Sequence, residues 1–188
     1  AQLAQYGSWI PFTDVLIETH EDENLKQFVI GATEQAALTR ERILWNMMVA
    51  GTNVIYSGTA TQRSQVVAPI DLGDIQLATR ALKVAMAQPV TSMISASQNV
   101  STQPVNGGYI GIGHTNLEQD FRAIPGFIPR EHYASQKLIS DHELGKIQDV
   151  RVLLAPHLTY FPSAGGTPTG VLSTNGTAAD VYPFVVFG

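Results

Sequence analysis

Hydrophobic positions recur along this chain in two rhythms. Between Leu25 and about Ala50, the apolar residues Leu25, Phe28, Val29, Ala32, Ala36, Ile43, Met47 and Ala50 stand three, four and seven apart, which is the spacing of one helical face. They predict a helix about 39 Å long at 1.5 Å per residue. Glu21, Asp22 and Glu23 precede it where acids suit the helix dipole, with Asn24 as the expected N-cap and Gly51 as the expected C-cap. The internal Gly31 costs about 1 kcal/mol and marks an expected bend. A second helix is predicted from Asp71 or Asp74 to about Gln88, with Leu72, Ile75, Ala78, Leu82 and Ala85 inward and Pro89 as its stop. Asn116 to Ile124 reads as a short helix broken by Pro125-Gly126, and 130–139 as another helical turn or two.

The other rhythm is that of strands. Residues 6–19 and Val54–Tyr56 are aromatic and β-branched; 90–106 is Ser/Thr/Gln/Asn-rich and reads as irregular or edge strand. Gly108 to His114 is a buried-strand candidate, and Lys146–Ala155 and Val181–Phe187 are strand-like. Polar loops are expected at 57–69, and a flexible Gly/Ser/Thr/Pro stretch at 156–179. The order is mixed α+β, without the regular βαβ alternation of a doubly wound sheet.

Composition sharpens this picture. Of 188 residues 44% are hydrophobic, enough for a core, yet only 14% are charged, against about 25% in a typical soluble domain. A chain that hides surface against copies of itself needs fewer charges. Net charge is −5 and the basic residues are scattered, which argues against gripping nucleic acid through a basic face. There is no cysteine, so disulfides, thiolate nucleophiles and zinc–sulfur sites are excluded. No apolar run is long enough for a transmembrane helix. The chain opens without Met and stops within a strand-like run, so an internal or trimmed portion of a longer protein is expected.

Candidate chemistry is sparse. Gly107, Gly111 and Gly113 match the glycine spacing of a dinucleotide turn, and Tyr133 and Lys137 match the Tyr-x-x-x-Lys pair of short-chain oxidoreductases, in which the lysine lowers the phenol pKa. The layout opposes that reading. The glycines lie within a strand-like run, and too little chain separates the two motifs. The histidines His20, His114, His132, His142 and His157 form no His-x-x-x-His pair. Asp141-His142-Glu143 is read as a solvated turn, and His114 as a cap for the helix after it. Ser135 and Ser140, near His132 and Asp141, lack a nucleophile-elbow pattern. Asn99 and Asn175 are formal glycosylation acceptors, meaningful only in a secreted chain. Trp9, Phe12, Trp45 and Tyr56 are read as core or subunit-contact residues. No catalytic, cofactor or metal residues are nominated.

The order of landmarks carries more than any one motif. It runs from Gly7-Ser8-Trp9-Ile10-Pro11-Phe12 to Glu34-Gln35-Ala36-Ala37-Leu38-Thr39-Arg40-Glu41-Arg42, then Ala50-Gly51-Thr52-Asn53-Val54-Ile55-Tyr56 and the Asp74–Ala87 helix with its Pro89-Val90-Thr91 exit. Gly108–His114, Phe127-Ile128-Pro129, Tyr133-Ala134-Ser135, Glu143–Ile147, Val150-Arg151 and Asp180-Val181-Tyr182 follow. From about residue 6 to 187 this closely resembles the major capsid proteins of tailed bacteriophages, in the coat-protein family typified by phage N-four.

The resemblance implies an α+β, Hong Kong 97-like capsid fold. Residues 1–70 would hold the extended segment, the long spine helix and part of a peripheral domain. Residues 71–188 would form mainly an axial domain of mixed sheet and helices, with strands returning to the peripheral domain. It implies a structural, non-enzymatic subunit of the virion capsid, assembling in the bacterial host cytoplasm as hexamers and pentamers around double-stranded DNA. Scaffolding, decoration and portal proteins are its expected partners, with no cofactor and no membrane. The alternatives are a nanocompartment shell of the same fold, an oxidoreductase built on Tyr133 and Lys137, and a β-rich binding module.

Overall fold

A computed structural model describes residues 5–7, 9, 11, 24–94, 102–133 and 138–188. The chain divides into two compact units, Ala1–Met47 and Met48–Gly188. The first is dominated by α1, Asn24–Val49, which runs onward into the second. The helix occurs where the periodicity predicts it, but Asn24 is its first residue rather than its cap. Gly51 closes the following turn by donating to Met48 O at 3.2 Å without the left-handed backbone of a glycine cap. The apolar stripe is not the buried side. Val29, Ile43 and Met47 are exposed, and Trp45 is the buried side chain among the described residues of α1. Spacing identifies a helix; it does not say which side acquires a neighbour.

The second unit is built on a six-stranded mixed sheet. Its members are β1 (Val90–Ile94), β2 (Thr102–His114), β3 (Phe127–Pro129), β4 (Glu143–Ile147), β5 (Val150–Ala155) and β6 (Phe184–Phe187). The order is β1-β2-β5-β4-β3, with β6 also on β2. β2 pairs antiparallel with β1 at its start. Farther along it lies between β5, parallel to it, and β6, antiparallel. The buried-strand candidate Gly108–His114 is thus the second half of the sheet's most connected strand. The edge-strand reading of 90–106 holds for β1.

Three strand readings change. Val54–Tyr56 forms no strand among the described residues. Lys146–Ala155 is a hairpin: β4 and β5 pair across Gln148-Asp149, with Gln148 at φ +49°. Val181 forms only an isolated bridge to Phe161, and the last strand begins at Phe184.

α2, Leu72–Val84, starts as its sequence dictates. Asp71 is the N-cap, its Oδ1 accepting from Asp74 N at 2.8 Å, while Asp74 Oδ2 accepts from Asp71 N at 3.2 Å. That reciprocal pair satisfies two donors the helix would otherwise leave open. The helix stops at Val84, short of the expected Gln88, in a Schellman turn. Met86 N donates to Lys83 O at 3.1 Å and Ala87 N to Leu82 O at 3.0 Å, with Met86 at φ +56°. The stop precedes Pro89 because three residues are needed to turn the chain into β1.

Asn116–Ile124 resolves into a 3₁₀ turn, Thr115–Leu117, followed by α3, Glu118–Ala123. Gly126 at φ +85° makes the turn into β3. The core gathers Ile75 of α2, Leu117, Phe121 and Ile124 around α3, and Ile147, Val150, Val152 and Leu154 of the sheet.

Candidate functional site

The second face of the sheet carries charge. Val150, Val152 and Leu154 alternate into the apolar core, so Arg151 points the other way, yet it too is buried. A register shift in β4 between Glu143 and Gly145 sets Glu143 opposite Leu153, on Arg151's face. Glu143 Oε1 lies 3.6 Å from Arg151 Nη1, and both side chains are almost wholly out of solvent. The carboxylate also accepts from Tyr133 Oη at 3.0 Å and from Ile139 N at 2.8 Å. Arg151 Nη2 reaches Asn106 O of β2 at 3.4 Å.

The cluster thus ties β2, β4 and β5 to Tyr133 and Ile139. Burial, then the Glu143 charge and hydrogen bond, push the Tyr133 phenol above its usual range against the opposing Arg151 charge. That direction is wrong for a phenol serving as acid and base, which needs a lowered pKa.

Glu143 corrects the reading of Asp141-His142-Glu143 as a solvated turn. Sequence reasoning missed the cluster because its members lie on four separate segments. The available signal was a charge in Val150-Arg151-Val152, a run otherwise suited to a strand buried on both faces.

A second group surrounds the end of β2. His114 caps the 3₁₀ turn as expected, its Nδ1 accepting from Asn116 N at 3.0 Å. Its ring meets Tyr160 and Tyr182 at centroid distances of 5.6 and 5.3 Å. The two tyrosines stack at 4.7 Å, and Asn116 Nδ2 donates to Tyr182 Oη at 2.8 Å. Burial pushes the His114 pKa down, with a hydrogen bond to the Pro156 backbone acting against it.

A third feature orders the long connection expected to be flexible. Asp180 accepts from Ser163 N at 2.7 Å and Thr174 Oγ1 at 2.8 Å. Burial alone would raise its pKa, but these donors hold it below the ordinary carboxylate value. Gly166 N donates to Val66 O at 3.0 Å, and Arg63 lies 3.6 Å over the Phe161 ring. Residues 156–183 are therefore irregular but pinned to the loop before α2.

The remaining candidates among the described residues form no catalytic or binding constellation. Gly107, Gly111 and Gly113 lie inside β2, not at a strand-to-helix turn. A side chain at Gly111 would collide with the Phe184 ring, so that glycine admits β6 rather than a phosphate. His132 ends a 3₁₀ turn, and His142 N donates to Ser140 Oγ at 3.3 Å. Asn175 Oδ1 accepts from Thr177 N and Ala178 N, each at 2.9 Å. Trp9 is exposed and Tyr56 half-buried. Phe12, His20, Glu21 to Glu23, Asn99, Ser135 and Lys137 lie outside the described residues, as does most of the 6–19 segment.

Among the described residues no group of His, Asp and Glu could hold a metal ion, and no helix is long and apolar enough to cross a membrane. The polar clusters bind strand to strand and loop to sheet, work suited to a protein whose product is its own surface. No curated protein matches the chain. The family model described as phage capsid protein matches residues 1–187. With that match spanning nearly its whole length, the chain belongs to the phage capsid protein family, a structural family whose members assemble into the virion shell.

Proposed function

We propose that this chain is the major capsid protein of a tailed bacteriophage, of the Hong Kong 97-like kind typified by phage N-four. Copies of it, as hexamers and pentamers, close into an icosahedral head around double-stranded DNA. Residues 1–70 would supply the spine helix and part of the peripheral domain, and 71–188 mainly the axial domain. Scaffolding, decoration and portal proteins would be its partners, and assembly would take place in the host cytoplasm.

One observation carries this reading beyond the family. α1 bears Val29, Ile30, Leu38, Ile43, Leu44, Met47 and Met48 exposed, on several sides at once. These side chains interleave with Lys26, Glu34, Arg40, Glu41 and Arg42, and that much exposed apolar surface marks a helix that meets other molecules. A shell supplies them, because each subunit meets several neighbours and modest contacts add through multivalency. The low charge content fits the same arrangement, and a net charge of −5 suits a wall that must not hold DNA phosphates tightly.

The test is sedimentation of the full-length gene product with electron microscopy of the heaviest fraction. Closed particles hundreds of ångströms across are expected, and nucleic acid inside them identifies a virus head. Enclosed protein instead identifies a nanocompartment. A species no larger than a tetramer, even with scaffold present, overturns the assignment.

A further inference from the structure

The end of α2 carries a residue that its own fold disfavours. Met86 occupies the left-handed position of the Schellman turn, at φ +56°, where glycine is the usual occupant because it has no Cβ to collide with the backbone. The two backbone hydrogen bonds of the turn would form equally well with glycine. The Met86 side chain gains little from the described residues either, being 87% exposed. Backbone strain without an internal return points to a use outside the subunit.

The surroundings indicate what that use is. Val84, two residues before Met86, is 75% exposed, and Leu77, two turns earlier on the same side of α2, is 53% exposed. Beside them a shallow groove runs between Gln76, Arg80, Lys83 and Val84 on α2 and Gln148 and Asp149 of the β4–β5 turn. Lys83 Nζ is neutralised by Asp149 Oδ2 at 2.6 Å. Arg80 has no ion pair among the described residues, so the groove keeps one positive charge on a chain of net charge −5.

We infer that this face, Leu77, Arg80, Val84 and Met86 with the Gln148 turn, is a contact surface for a second copy of this chain, meeting a different, acidic surface of that copy. The inference rests on the capsid reading and deepens it by naming an interface. Charge argues for the second copy, since another subunit carries a net −5 and so has an excess of acidic groups to offer Arg80. It also argues against a two-fold contact, which would set Arg80 near its own equivalent. Such a heterologous contact is the kind that closes into rings.

The test compares the full chain with its Val84→Ser/Met86→Gly variant, recording thermal midpoint and the critical concentration for assembly. The expected result is a midpoint at or above the parent's, since the strained residue is relieved, and a critical concentration raised by about tenfold or more. Assembly at the parental concentration overturns the inference. Should the midpoint fall, Arg80→Glu, which leaves backbone and packing untouched, decides by the same threshold. A parent that forms no shell sinks the capsid reading; shells formed equally by parent and variants sink only this interface.

Discussion

Phe184 lays its ring directly over the bare Cα of Gly111, the register partner of Val186 on the neighbouring strand. The aromatic ring fills the volume that a side chain on β2 would take, and its other side meets Phe121 at a centroid distance of 4.8 Å. Gly111→Ala should therefore expel Phe184 from the core. The expected cost is about 1–3 kcal/mol by overpacking, read as a lower midpoint in urea at unchanged slope. Gly126→Ala serves as the contrast: nothing lies near its Cβ position, so only its positive φ resists.

Asp71 should matter out of proportion to its exposure. Asp71→Ala removes both the acceptor for Asp74 N and the reciprocal arrangement of the capping box, and such caps are worth about 0.5–2 kcal/mol. Chemical denaturation reads the loss directly. Asp71→Ser, which keeps an acceptor, should recover most of it.

The Glu143–Arg151 pair should be strongly non-additive. Glu143→Gln leaves a buried guanidinium without its counter-charge, and Arg151→Met strands the carboxylate; each should cost about 3–5 kcal/mol. Replacing both together by apolar residues of similar size should cost much less than the sum of the single changes. A double-mutant cycle in denaturant measures the coupling, and additive costs would show that the two charges do not act as a pair.

Acid should weaken the fold in two separate windows. The His114 pKa is lowered in the folded chain, so the unfolded chain binds more protons there. The stability from its neutral form is complete above the ordinary value of 6.5 and is lost as pH falls through the folded value. The Asp180 pKa is lowered too, so its contribution is complete above the ordinary 3.8 and disappears only at lower pH. Thermal midpoints recorded downward from pH 7 should fall first below about 6.5. His114→Gln should abolish that first decline and Asp180→Asn the later one. An NMR titration placing His114 at or above the free imidazole value would contradict the first window.

Local signals were legible in the sequence, and non-local ones were not. Asp71 and Asp74 mark the start of α2 because capping acts over three residues, whereas its end is set by the turn at Met86 and not by Pro89. Gly108–His114 announces a buried strand by composition alone. The β4–β5 hairpin escaped because its turn uses Gln148-Asp149 in place of Asn-Gly, holding Gln148 at positive φ. The compensation comes from elsewhere: Asp149 O accepts from Tyr109 N at 2.7 Å and its carboxylate binds Lys83. Glu143 was misjudged for the same reason, since Arg151 and Tyr133 reach it only through sheet register and loop placement. For α1 the spacing identified the helix while the buried residue proved to be Trp45, outside the predicted stripe.

The pairing of β6 with β2 also bears on when a newly made subunit becomes safe to meet its copies. Ile112 finds its antiparallel partner Val185 well downstream in the sequence, after the ribosome has released β2, β4 and β5. Until then one edge of the sheet's central strand stays open among many identical nascent chains, the situation that invites edge-to-edge misassembly. Synthesis of β6 closes that edge and packs Phe184 onto Phe121 in the same step. A chain lacking β6 would lack both, so this strand acts as a check that only chains extending through Phe187 offer a closed β2 edge to the growing shell.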